Sequence, residues 1–331
     1  MIRNVDNLIK YVKKSVDDHF IEPGKYSRFI SRQRDISSEY GCADAANILY
    51  TIGLFPKEEA ERQAFVNELR RFQKNDGCYR EPTHHFLHTT AHCVAALELF
   101  DALPEYELSY HKENFGTEKK LVKFLETLDV VGNPWNESHK GAGIYAALIL
   151  AGKMPVEWQN AYFDYITENA DKKTGIGFKN APGVKLPYVH HLAGWFHYMF
   201  NFYYARRPFP YAEKTVDTCI DLYLNDLKYE KTYRFGTVMG FIEIDWIFLI
   251  NRASSQTGHR RGEVKEILRE FAGNYLDFLE KDIVNEYKRR FDDMHTLFGA
   301  LCAVAELQEA LPGEIITTVP LRNVLNRRPF I

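Results

Sequence analysis

The chain has no CxxC pair, no long apolar run free of polar groups, no surplus of basic charge and no extended stretch of β-alternation. Each absence narrows the field. The five cysteines (Cys42, Cys78, Cys93, Cys219 and Cys302) are scattered and odd in number, which argues for reduced core thiols over a disulfide scaffold or a thiolate zinc site. A net charge of −3 provides no cationic excess to hold nucleic acid by its phosphates. The most apolar stretch, YVHHLAGWFHYMFNFYYA at 188–205, carries three histidines and an asparagine and stops at Arg206-Arg207-Pro208. Those groups would be costly in lipid, so the stretch reads as a buried helix and no membrane span is expected. The N-terminus, MIRNVDNLIKYVKKSV, is an amphipathic pattern broken by charge and not a leader, so the expected location is cytoplasmic. What is present is ordinary for a globular chain: 331 residues, 45% hydrophobic and 26% charged, enough for two domains or one large repetitive one.

Repetition favours the second. HTTAHCVAALELFDALP from His88 resembles DMHTLFGALCAVAELQEALPG from Asp293: both are rich in small residues, apolar on most sides, and run into Leu-Pro. Segments of the same shape begin near 41, 139, 190 and 241, so the unit recurs about every 50 residues. Between them lie stretches with a single apolar face, at 4–19, 57–73, 117–128, 156–170, 212–227 and 261–284. Each unit is therefore one amphipathic helix, a loop, and one helix buried nearly all round. Pro56, Pro155 and Pro210 stand where the next amphipathic helix begins. Six such hairpins predict an all-α (α/α)6 toroid over 1–312, a single domain with inner and outer helix rings, and a tail, 313–331, strapped on the outside. An open solenoid is the alternative, but it would need polar capping helices, and the last buried-type helix is as apolar as the second.

In such a ring the inner helices run the same way, and their N-termini, with spare N–H groups and positive dipole ends, share one mouth. The unusual polar residues fall there. Glu39, Tyr40 and Asp44 approach the first inner helix, and Tyr79, Arg80, Glu81, His84, His85 and His88 the second. Trp135, Asn136, Glu137 and His139 approach the third, Lys185, Tyr188, His190 and His191 the fourth, and Arg234, Glu243 and Asp245 the fifth. Arg289, Arg290, Asp292, Asp293 and His295 approach the sixth. A histidine in such a place is as often a cap or loop anchor as a functional group. Glu243 and Asp245 stand inside GFIEIDWIFLI, where an ionised side chain is costly unless paired or facing a cavity. At i, i+2 they diverge by about 200° on a helix, so both reach one substrate atom only if the helix begins between them. His88 and His92 have the i, i+4 spacing of two metal ligands, but without an HExxH motif they read better as core histidines, and no metal is expected. His197 lies deep in an aromatic run and reads as structural.

The stretch FVNELRRFQKNDGCYREPTHHFLHTTAHCVAALELF, 65–100, resembles the repeat of the prenyltransferase and squalene-cyclase superfamily, with Gln73, Gly77 and Tyr79 at that repeat's glutamine, glycine and aromatic positions. KTGIGF at 173–178 is a weaker echo. The resemblance implies the toroid. Class II cyclases of that superfamily protonate an alkene from an Asp-x-Asp-Asp motif, whose nearest counterpart here, Glu243-Ile-Asp245-Trp246, differs at the first and last positions. Protein prenyltransferases hold a zinc with Asp, Cys and His, a set this sequence does not place. In general form the ring also resembles the six-hairpin glycosidases, alginate-lyase-like enzymes and sugar epimerases.

The leading expectation is an enzyme acting on a sugar or oligosaccharide by acid–base chemistry, of hydrolase, lyase or epimerase type. Glu243 or Asp245 would be general acid or base, and His88 and His190 would move protons. Asp44, Tyr79, Arg80, His84, His139, His191, Arg290, Asp293 and His295 would bind substrate. No cofactor is required, the partner is a small molecule or oligosaccharide, and the oligomeric state stays open. The alternatives are a terpenoid-cyclase-like or prenyl-binding enzyme, which predicts a deep apolar cavity, and a non-catalytic binding toroid, which predicts a filled centre.

Overall fold

A computed structural model describes residues 2–181, 186–224 and 234–331, except for the side chains of 282–289. Lys185, the end of the amphipathic stretch at 225–227 and the Arg289 side chain lie outside that description. Among the described residues the chain is all-α apart from four short strands. Its described helices are α1 (Asp6–His19), α2 (Glu39–Thr51), α3 (Glu59–Phe72), α4 (Phe86–Glu98), α5 (Ser109–Phe115), α6 (Glu118–Leu125), α7 (Pro134–Ala151), α8 (Val156–Asn169), α9 (Tyr188–Tyr204), α10 (Ala212–Leu224), α11 (Ile242–Thr257), α12 (Arg261–Arg290) and α13 (Met294–Ala310). Among the described residues no helix is long and apolar enough to cross a membrane.

The buried-type segments are α2, α4, α7, α9, α11 and α13. They are covered on nearly every side; in α9 the burial runs from Leu192 to Phe202 without a break. Starts are fixed locally. The Ser38 side chain accepts from the Gly41 N–H to cap α2, Asp293 accepts from the His295 N–H to cap α13, and Pro134 occupies the first turn of α7. Neighbours pack in order: α2 on α4, α4 on α7, α7 on α9, α9 on α11, α11 on α13, and α13 back on α2. Small residues allow the backbones to meet. A Cβ on Gly143 of α7 would lie 2.8 Å from the Leu87 carbonyl oxygen of α4, and one on Gly194 of α9 would lie 2.8 Å from that of Pro134. The apolar faces of the amphipathic helices cover the outside. Tyr162 of α8 stacks on Tyr145 of α7, Phe163 of α8 meets Phe202 of α9, and Trp246 of α11 packs on Tyr223 of α10 and Phe271 of α12.

Two stretches depart from the sequence reading. The amphipathic segment at 117–128 is a short α6, and a further helix, α5, precedes it. Helix α5 is anchored because the Trp158 indole donates to the Phe115 carbonyl at 2.7 Å and His111 is buried beside Cys78. The tail is the larger departure. It begins outside, where β4 (Ile315–Ile316) pairs in parallel with β1 (Arg3–Asn4). It then crosses the C-terminal ends of the buried helices: the Arg322 N–H donates to Thr51 O, and Arg327 binds the Glu98 carboxylate at 2.9 Å. Its last residues do not lie on the outside as expected. Arg328, Phe330 and Ile331 are buried, and the Phe330 ring centroid is 4.9 Å from that of His88 and 5.5 Å from that of Phe200. Apolar Phe330 and Ile331 gain more from the interior than from solvent. The Arg328 guanidinium follows them in because Asn47 Oδ1 and the Phe330 carbonyl accept its protons.

Candidate functional site

Three helix starts supply the centre. On α2, Tyr40 and Asp44 stand one turn apart and share a face, as do His88 and His92 on α4; His295 follows the cap of α13. These faces converge on Asp44. His92 Nε2 lies 2.8 Å from Asp44 Oδ1, and His295 Nδ1 lies 3.1 Å from Oδ2. The Tyr40 hydroxyl is 2.6 Å from His88 Nδ1, and its ring stacks on His84 and His92 at 4.6 and 5.0 Å between centroids. The row continues sideways: His88 meets His139 of α7 at 4.5 Å, and His139 meets His197 of α9 at 4.1 Å. Arg28 closes the other side. It forms a two-pronged bond with Asp293 at 3.0 and 3.1 Å and lies 4.9 Å from the Tyr40 ring centroid.

Asp44, His92 and His88 are buried, whereas His84, His139 and Asp293 are partly open. Burial alone would raise the Asp44 carboxyl, but the charge and hydrogen bonds of His295 and His92 overcome it and hold the group well below the usual carboxylate range. Burial pushes the His92 imidazole down to about 4 against the pull of Asp44. Burial, then neighbouring imidazoles, drives His88 and His139 down as well, and burial raises the Tyr40 phenol. At neutral pH an ionised Asp44 therefore stands beside neutral His88, His92 and His139 and a neutral Tyr40 phenol. The Tyr40 hydroxyl and His88 Nδ1 share one hydrogen bond, and the imidazole tautomer sets which end donates, so a phenol and an imidazole stand ready to exchange a proton with a third group. Asp44, His92 and His295 offer one donor atom each, all within 4.8 Å of one another. The metal-type pair suggested by spacing, His88 with His92, is not the one that converges.

Of the site residues predicted from sequence, the structure gathers Asp44, His84, His88, His139, Asp293 and His295. The others lie elsewhere. Arg80 pairs with Asp76 at 2.5 Å on the surface, and Arg290 sits over the Phe278 ring at 4.6 Å. Tyr79 is buried with no hydrogen bond to its hydroxyl, and neither ring nitrogen of buried His191 has a partner. His190 is half-buried, and its described bond is a backbone one, to Pro187 O.

Glu243 and Asp245 are both fully buried, but they do not join the histidines. Glu243 Oε1 accepts from the Gly236 N–H at 3.3 Å. Neither oxygen of Asp245 has a hydrogen-bond partner. Desolvation, then the charge of Glu243, raises the Asp245 carboxyl well above the usual carboxylate range. The central members left out of the predicted site were Tyr40, Arg28 and His92, the last read as a core histidine. Tyr40 stands one turn before Asp44 on the same face, a visible spacing signal. Arg28 lies in the irregular stretch before α2, where no periodicity marks it; only the Phe29–Asp293 bridge brings it in.

In comparisons with known proteins, no family model, no curated relative and no solved structure matched the chain.

Proposed function

We propose that the chain is an (α/α)6 toroid of the superfamily its 65–100 repeat resembles, and that it performs acid–base chemistry on a polar, carbohydrate-type substrate at the mouth formed by the N-termini of its inner helices. The closed order of packing among α2, α4, α7, α9, α11 and α13 supports the ring. The observation that carries the chemistry is the Tyr40–His88 pair, 2.6 Å apart and held neutral, beneath partly open His84 and His139. A phenol and an imidazole in contact suit removal and return of a proton next to a carboxylate or carbonyl, the lyase or epimerase branch of the expectation. Arg28 beside them can meet an anionic group by exchanging its bond with Asp293. Hydrolysis by paired carboxyls receives less support, because Glu243 Oε1 accepts from the Gly236 N–H and, among the described residues, Asp245 has no hydrogen-bond partner. Phe330 in the centre favours a shallow site over the deep apolar cavity of an isoprenoid cyclase. The five buried, unpaired cysteines suit a reducing compartment and hence the cytoplasm.

The test is turnover against a panel of uronate-containing and neutral oligosaccharides with products read by mass, followed by Tyr40→Phe and His88→Asn. Each variant is expected to fold and to lose turnover by about 10²- to 10⁴-fold. Variants that keep full turnover on the substrate found would remove both residues from the chemistry.

A further inference from the structure

The Asp44 carboxylate is the least balanced charge in the cluster. It is fully buried and its bonds go only to imidazoles, His92 Nε2 and His295 Nδ1. Arg28, whose charge reaches Asp44, bonds instead to Asp293 and Thr83, and buried Arg328 bonds to Asn47. Buried carboxylates are ordinarily matched by a cation, because leaving one in a low-dielectric interior is costly. Here two imidazoles point their nitrogens at the anion from opposite helices, and each must carry a proton there to be held by it. A single divalent ion would replace both protons and supply the missing positive charge.

The donor set fits such an ion. Two imidazoles and one carboxylate, with remaining positions left for water or substrate, are what zinc and ferrous iron take in catalytic sites. The three donor atoms come from three helices and already stand within 4.8 Å of one another. Bonds of about 2.0–2.2 Å to a shared ion need the donors to separate only slightly from their present hydrogen-bonded spacing. Asp293 caps α13 through the His295 N–H and anchors to Arg28, so the helix start that carries His295 is fixed. We propose that Asp44, His92 and His295 bind one divalent first-row transition-metal ion. This goes beyond the acid–base reading, which needs no metal, and either can fail without the other.

The experiment titrates chelator-treated protein with Co²⁺ and, separately, with Zn²⁺, reading ligand-field absorption and calorimetric stoichiometry. One equivalent is expected, with a low-symmetry Co²⁺ spectrum that Zn²⁺ abolishes. Asp44→Asn, which keeps size but removes the charge and one acceptor oxygen, and His295→Asn should each weaken binding by more than about 100-fold, since even outer partners of metal ligands are worth 10- to 100-fold. His85→Ser, an exposed cap outside the triad, should bind as the native protein does. Should a triad variant fail to fold, imidazole ¹⁵N spectra of the native protein decide: Zn²⁺ must move the His92 and His295 resonances and leave His111 unmoved. Native protein that takes up neither ion, or triad variants that bind unchanged, would overturn the proposal.

Discussion

Two groups of acids in this molecule are equally buried and oppositely resolved. Asp44 meets two imidazoles within 3.1 Å and is held well below the usual carboxylate range; Asp245 meets no hydrogen-bond partner among the described residues and is pushed well above it. Both lie near the start of a helix whose sequence is otherwise apolar, so hydropathy alone does not separate them. The difference lies in what the neighbouring helix presents. Helices α4 and α13 turn histidines toward Asp44, whereas among the described residues no donor reaches either oxygen of Asp245. A buried carboxyl therefore becomes a network centre or a neutral inclusion according to its partners, not its depth.

The contrast can be broken by substitution. The largest effect is expected at Asp44→Leu. It strips two hydrogen bonds made to a charge, about 1.5–3 kcal/mol each, and should cost about 3–6 kcal/mol in denaturant unfolding. Phe330→Ala comes next, at about 3–5 kcal/mol for a buried ring, and it should also loosen His88. Asp245→Leu should run the other way. Replacing a buried carboxyl that has no partner should raise stability by about 1–3 kcal/mol. A destabilised Asp245→Leu would show that this carboxyl has a role the contrast misses.

A pH dependence tests the contrast without substitution. His92 and His111 are held down to about 4 and His197 to about 3, each from an ordinary value of 6.5. Between pH 6.5 and about 4 the unfolded chain takes up protons that these imidazoles refuse in the fold. Stability therefore falls as pH falls through that window, by at most about 1.4 kcal/mol per pH unit for each group. Thermal unfolding followed from pH 7 to 4.5 should show the melting temperature dropping steadily. A flat profile would mean that the native imidazoles charge freely.

Much of this was legible in the sequence. The 50-residue recurrence marked all six buried helices, and the gathering of His84, His88, His139 and His295 at helix starts was visible as spacing. The anomaly of Glu243 and Asp245 was visible as well, but not the direction each faces, because helix rotation is set by the packing of Phe241, Trp246 and Phe248 on three different neighbours. The tail was misread for a plain reason. RNVLNRRPFI looks polar and terminal, and only the acceptors Asn47 and Glu98, far away in sequence, let its arginines cross the helix ends and carry Phe330 inward. Arg28 was hidden for the same reason: its partner Asp293 is 265 residues away.

The central claim is that the helix starts gather neutral His88, His92 and His139 around the ionised Asp44 carboxylate, and histidine ¹⁵N chemical shifts followed from pH 8 to 5 test it most directly. The account requires the His88, His92 and His139 resonances to keep neutral-imidazole shifts across the whole range. Titration of those three rings near the ordinary histidine value, about 6.5, would contradict it.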